Sequence, residues 1–254
     1  MLLAIDIGNT DIVFAVYYKN EWTHSWRKRS DVEKSAVTYE LDLRNCFLEK
    51  NLLPQFFSGV VISSVVPQLG EVIKEMAEAV FSKNILAVEQ SIYAKLKIGI
   101  GNPQEIGTDL VANAVAAYDK YNDCCVVIDF GTALTFTTLD KEGNILGVAI
   151  APGIRTAMKS LSSSTAQLPE IPLEIPESVI GKDTVHAIQA GILHGYVGLV
   201  EGMMNRINEE IGTTCKVVAT GGLSPVLKPL HASFDDIEPL LTLDGLRIIY
   251  DQCR

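Results

Sequence analysis

Ala4-Ile5-Asp6-Ile7-Gly8-Asn9-Thr10 and Val127-Ile128-Asp129-Phe130-Gly131-Thr132 repeat one pattern: apolar strand, Asp, apolar residue, Gly, small polar residue. An aspartate at a strand end, followed by a glycine turn with hydroxyl and amide donors, suits a metal-bound polyphosphate. Glycine lets backbone N–H groups come close to phosphate oxygens, and the carboxylate can hold hydrated Mg²⁺ or another cation. One copy alone reads better as an ordinary tight turn than as a phosphate site. Two copies in comparable settings point to two half-domains facing one nucleotide.

The flanking residues extend the parallel. Leu2 to Ile7 reads as a strand and Ile12 to Tyr18 as a second, with Lys19-Asn20 turning into a third over Trp22 to Trp26. In the second half Cys124 to Asp129, Leu134 to Leu139 and Ile145 to Ile150 read the same way, with Lys141-Glu142-Gly143-Asn144 as the turn. Residue identity between the halves is too low for a sequence repeat, so the duplication is architectural. Helices are predicted over Val37 to Asn51 and Gln68 to Ser82, and strands over Phe57 to Ser63 and Ile85 to Val88. After the Asn102-Pro103 turn, Gly107-Thr108-Asp109 opens a helix running to about Tyr121, with Thr108 or Asp109 as its cap. Beyond the second copy come a helix from Gly153 to Ser164, an extended Pro-rich stretch from Leu168 to Pro176, and helical spacing from Thr184 to Ile211. Gly191, Gly195, Gly198 and Gly202 allow close packing or bends there. A strand from Lys216 to Ala219 feeds Thr220-Gly221-Gly222-Leu223-Ser224, and a helix from Leu240 to Asp251 closes the chain.

Composition narrows the function classes. At 254 residues the chain can bury a sizeable core, 48% of it is hydrophobic, and its formal charge of −10 leaves no basic footprint for nucleic acid. An anionic substrate must therefore be held by local donors or metal. Met1 leads straight into an apolar strand without the features of a signal peptide, and no apolar run reaches membrane-spanning length. The five cysteines (Cys46, Cys124, Cys125, Cys215 and Cys253) include no CxxC pair, which argues against a disulfide framework or structural zinc and for a reducing, cytoplasmic setting. Cys124 and Cys125 read as strand residues rather than redox groups.

With these pieces in order the chain resembles the acetate kinase, sugar kinase, Hsp70 and actin superfamily. Within it, Asp6-Ile7-Gly8-Asn9-Thr10, Ser64-Val65-Val66-Pro67, Asn102-Pro103 with Gly107-Thr108-Asp109, Asp129-Phe130-Gly131-Thr132, Ala151-Pro152-Gly153 and Ser164-Thr165-Ala166-Gln167-Leu168-Pro169 follow the order and spacing of type III pantothenate kinase. The resemblance covers essentially the whole chain. It implies an α/β fold of two ribonuclease H-like (actin-like ATPase) half-domains, 1–118 and 119–254, each a mixed sheet flanked by helices, with ATP in the cleft between them. The implied reaction moves the γ-phosphoryl group of ATP to the primary hydroxyl of pantothenate, with Mg²⁺ and K⁺ (or NH₄⁺), in a cytoplasmic homodimer.

The implied site is specific. Asp6, Ile7, Gly8, Asn9, Thr10, Asp11, Ile12 and Val13 hold the ATP phosphates, with Asp6 toward Mg²⁺. Asp129 sits at the monovalent cation, Gly131 and Thr132 contact ATP, and Gly221 and Gly222 lie under the adenosine. Gly107, Thr108, Asp109, Leu110 and Thr184 form the pantothenate end. Asp109 is the candidate general base, positioned at a helix start where Gly107 admits the substrate; the plainer alternative makes it an N-cap. Thr184 alone is a good N-cap for the helix after it, and a strand-to-helix turn also explains Gly221-Gly222. One departure stands out: where the family often places Arg after the Asp, this chain has Leu110, so a basic contact is absent or supplied elsewhere; Arg155, just after Pro152-Gly153, reads as a substitute or, at least as well, as a solvated surface residue. His186 and His194 lack a third ligand and read as packing or surface residues. Two alternatives stay open: a weak or silent relative that binds nucleotide or pantothenate, and a phosphatase or other kinase on the same scaffold.

Overall fold

A computed structural model describes residues 1–81, 84–163 and 171–254. It resolves two compact units, one formed by Met1–Ala116 together with Leu241–Arg254, the other by Ala117–Leu240.

In the first unit, β1 (Leu2–Ile7), β2 (Asp11–Tyr18) and β3 (Glu21–Arg29) form an antiparallel meander. Lys19 and Asn20 both take positive φ, 51° and 66°, the conformation a two-residue hairpin requires. Ser35 caps α1 (Ala36–Glu49) by accepting from Thr38 N–H. Next come β4 (Gly59–Ser64), parallel to β1, α2 (Pro67–Val80), with Pro67 at its first turn, and β5 (Ile85–Ala87). The sheet order is β3-β2-β1-β4-β5. β1 is nearly continuous in apolar residues because both of its faces are covered, whereas β3 alternates. Leu3, Ile5, Ile7, Ile12 and Phe14 meet Tyr39, Leu43, Leu69 and Ile73 in one core. Phe47 stacks on Phe57 with ring centroids 5.0 Å apart. A two-residue strand, β6 (Gly99–Ile100), precedes α3 (Thr108–Tyr121).

The second unit repeats the plan with β7 (Cys125–Phe130), β8 (Ala133–Leu139) and β9 (Asn144–Pro152) antiparallel in turn. α4 (Ile154–Ser163), α5 (Thr184–Gln189) and α6 (Gly195–Ile211) follow. β10 (Lys216–Thr220) then runs parallel to β7, and β11 (Asp236–Ile237) is parallel to β10. Five consecutive strands of its six-stranded sheet, in the order β9-β8-β7-β10-β11, match β3-β2-β1-β4-β5. The architectural duplication expected from the paired turns is present, down to register: Asp6 pairs with Ser63 on β4, and Asp129 with Thr220 on β10.

Several expectations change. The closing helix, α7 (Leu241–Cys253), belongs with the first unit rather than with 119–254, since Trp22 Nε1 donates to Asp244 (2.8 Å) and Thr242 Oγ1 to buried Asn113 (2.8 Å). The other division falls inside α3, at Ala116, close to the expected residue 118. The helical stretch from Thr184 is interrupted by a π-helical turn over Ala190–His194. Against the expectation of no disulfide, Cys124 and Cys215 are bonded. They immediately precede β7 and β10, which pair Cys125 with Lys216, so adjacent parallel strands place them side by side despite a separation of 91 residues. Cys125 remains a free, buried strand residue, as expected, and burial pushes its thiol up to about 12. The Ser164 to Pro169 motif lies outside the described residues, as do Ser82 and Lys83.

Candidate active site

In the first unit the turn after β1 is braced from two sides. Gly8 N–H donates to Asp11 O (2.9 Å), Ser30 Oγ to Gly8 O (2.6 Å), and Ser30 N–H to Thr10 O (2.9 Å). Gly8 N–H is thus spent inside the turn, as is Gly131 N–H on Ala133 O (3.1 Å) in the second unit. Donors for a phosphate must come from the exposed residues of each turn, Asn9 and Thr10 in one and Thr132 in the other. Ile7 and Ile12 bury their side chains in the core, so only their backbone is available to a ligand.

A line of hydroxyls runs from this turn to Asp109. Ser63, fully buried, stands beside Asp6 across the strand pair and shares a 2.9 Å hydrogen bond with Thr108 Oγ1, which also reaches Ser64 O (3.1 Å). Thr108 therefore ties α3 to the end of β4 instead of capping the helix. Asp109 follows in the first helical turn, accepting from Leu110 N–H (2.8 Å), and its Oδ1 lies over Gly107. Its side chain is partly accessible, and desolvation holds its pKa above the ordinary 3.8 in spite of that hydrogen bond. The phenol of Tyr93 is likewise pushed up, first by burial and then by the charge of Asp109, which makes Tyr93 a neighbour of this carboxylate. Leu110 is buried. Neither Ser63 nor Tyr93 was legible as a site residue, because each lies well over ten residues from Asp109 and carries no motif.

In the second unit Asp129 ends β7 beside Thr220, and two glycines crowd the same place. Gly221 has φ +88°, and a Cβ on it would run into Asp129 Oδ1 and the backbone of Phe130, the latter at 2.7 Å. Gly153, just before α4, packs onto the carbonyls of Gly131 and Thr132. Its N–H donates to Thr132 O (3.0 Å), and Thr156 Oγ1 donates to the same oxygen (2.8 Å). Ser224, fully buried, donates from Oγ to Gly221 O (2.9 Å), and His231 Nε2 donates to Ser224 O (3.2 Å). These bonds hold the Gly221-Gly222 turn against Asp129. Ser224→Ala removes one neutral hydrogen bond from this turn and is expected to lower stability by about 1 kcal/mol, read from a denaturant melt beside the unsubstituted protein.

Thr184 opens α5 but does not cap it; Asp183 does, accepting from His186 N–H (2.8 Å). His186 and His194 donate to the carbonyls of Ser178 and Pro176 (3.0 and 2.9 Å), pinning the extended stretch, in line with their packing role. Arg155 is exposed in the first turn of α4.

Residues 2–206 match the family model for type III pantothenate kinase. The chain belongs to that family. A type III pantothenate kinase of Moorella thermoacetica is 42% identical over 252 residues, covering 99% of each chain, and one from Anaeromyxobacter sp. (strain K) is 41% identical over 254 residues, covering 100% of each. Among solved structures, one named for a Baf family transcriptional activator of Campylobacter jejuni superposes with a TM-score of 0.61 at 20% identity over 98% of both chains. That likeness speaks to the fold alone. Members of the type III pantothenate kinase family are ATP-dependent kinases, and the matched region includes both Asp-turns, Asp109, Gly153 and Thr184.

Proposed function

We propose that this protein phosphorylates the primary hydroxyl of pantothenate with the γ-phosphoryl group of ATP, giving 4′-phosphopantothenate, the first step toward coenzyme A. The observation that carries the reading is Asp109: a partly accessible carboxylate of raised pKa, held through Thr108 and Ser63 to the strand end that bears Asp6.

Phosphoryl transfer needs positioned oxygens, charge neutralisation and an acceptor for the hydroxyl proton. Asn9 and Thr10 in the turn that follows Asp6, then Thr132 beside Gly131, donate to the phosphates in this reading, and Gly221-Gly222 lie under the adenosine. Asp109 accepts a hydrogen bond from the pantothenate hydroxyl, orients it, and takes its proton as the bond to phosphorus forms. Burial that raises the carboxylate pKa makes it a stronger base for that proton.

No group of three or more His, Cys, Asp or Glu side chains gathers among the described residues. A strand-end carboxylate such as Asp6 is the donor type that suits Mg²⁺, which commonly uses one or two carboxylates and completes its shell with substrate phosphates and water. Asp6 would hold it, and Asp129 would hold K⁺ or NH₄⁺. When bound, the Mg²⁺ supplies charge neutralisation on the phosphates. The cytoplasmic location and the homodimer rest on the family resemblance alone.

Purified protein is expected to form ADP only when pantothenate is added, and faster with K⁺ or NH₄⁺ than with Na⁺, in a coupled assay. Because Leu110 is buried and brings no charge to the acceptor end, a silent ligand-binding relative is the second reading. Pantothenate binding by calorimetry without turnover would select it.

A further inference from the structure

Asp6 and Asp129 end equivalent strands, yet their neighbours across the sheet differ. Asp6 stands between Ser63 on β4 and Val13 on β2, whereas Asp129 stands between Thr220 on β10 and Thr135 on β8. Two residues further into each sheet, Ala4 faces Ala15 in the first unit and Val127 faces Thr137 in the second. β8 thus carries hydroxyls at the two places where β2 carries methyl groups alone.

Both hydroxyls are anomalous. Thr135 Oγ1 and Thr137 Oγ1 are buried, and neither has a hydrogen-bond partner among the described residues. An orphaned buried hydroxyl is destabilising, and valine would fill nearly the same space without that cost. Their surroundings separate the two. Thr137 is fully buried with Val127 and Val148 as its register partners, so nothing polar lies beside it across the sheet. Thr135 lies between Ile150 and Asp129, and residues directly opposite in an antiparallel pair share a face with Cβ atoms about 5 Å apart. A hydroxyl so close to a carboxylate would ordinarily donate to it, and this one does not. Its lone pairs are left to meet a cation held by the same carboxylate. One carboxylate flanked by two uncharged threonines suits a single positive charge, and K⁺ is held largely by neutral oxygens that replace its hydration shell. We propose that Thr135 Oγ1 is a ligand of the monovalent cation assigned to Asp129. The inference rests on that assignment, and it names the residue that sets the Asp129 turn apart from the Asp6 turn. Thr137, an orphan with no carboxylate opposite, is its built-in control.

The test is a KCl titration of the melting temperature of the full-length protein, with and without MgADP, at an ionic strength held constant with choline chloride. K⁺ is expected to raise the melting temperature of the unsubstituted protein and of Thr137→Val alike, the latter starting about 3 °C higher because its orphan is gone. Thr135→Val should need about tenfold more K⁺ for the same rise, the order expected for losing a contact to a charged group. Thr135→Ser keeps the oxygen and should follow the unsubstituted curve. If Thr135→Val also follows that curve, Thr135 does not hold the ion and is an orphan like Thr137. Should K⁺ do no more than choline for the unsubstituted protein in either condition, the cation assignment at Asp129 itself fails and this inference falls with it. Pantothenate-dependent ADP formation, measured separately, judges the kinase reading independently of both.

Discussion

Asp109→Asn is expected to lower kcat for pantothenate phosphorylation by about a thousandfold, within the usual range for loss of a general base, while leaving the protein at least as stable as before. The two effects come from one cause. Desolvation raises the Asp109 pKa above 3.8, so ionising this group costs more in the folded chain than in the unfolded one. Below about 3.8 the carboxyl is protonated in both states and the cost is absent. It grows as pH rises through the elevated folded value. Asparagine carries no such cost and still offers an oxygen to Leu110 N–H, so its stabilising effect should be larger at neutral pH than in acid, where it vanishes. Thermal melts at pH 7 and pH 3 measure this. A helix-capping role alone would give the opposite outcome, turnover kept and stability reduced. The unsubstituted enzyme should in turn lose activity in acid on a limb lying above 3.8, as the base becomes protonated.

Gly153→Ala is expected to cost about a hundredfold in kcat/KM together with a clear drop in melting temperature. A methyl group there meets the carbonyls of Gly131 and Thr132, which are backbone atoms and cannot swing aside as a long side chain does. Either the Gly131-Thr132 turn moves or α4 withdraws and loses the hydrogen bonds from Gly153 N–H and Thr156 Oγ1 to Thr132 O. A displacement near 1 Å at a reacting group is enough for a rate loss of about that size. Steady-state kinetics beside a thermal melt checks it. Kinetics like those of the unsubstituted protein would show that the turn at Thr132 need not hold its position.

The sheets were legible from sequence because alternation and apolar runs report directly on which faces are covered. Strand boundaries fell within about two residues for β1 and β7, where the Asp-turns end them. Contacts set by the fold's closure were not legible. Ser63 meets Thr108 across 45 residues, Cys124 meets Cys215 across 91, and α7 returns to Trp22 across more than two hundred. None of these leaves a local periodicity. β11 has two residues, too few to show a pattern. At Thr184 the cap was misplaced by one residue, since Asp and Thr are both good caps and only geometry separates them. Of the candidate site, the two turns and Asp109 could be read from residue types, whereas Gly153, Ser224 and His231 took their meaning from what they touch.

The place of α7 has a consequence for synthesis. The second unit is one uninterrupted stretch, Ala117–Leu240, and all of its strands are synthesised before α7. The first unit begins earlier yet lacks the partners of Trp22 and Asn113 until the final helix emerges. Domains fold as units, ordinarily from the N-terminus onward. Here the half bearing Asp6 and Asp109 cannot be complete until all of the second unit has been synthesised.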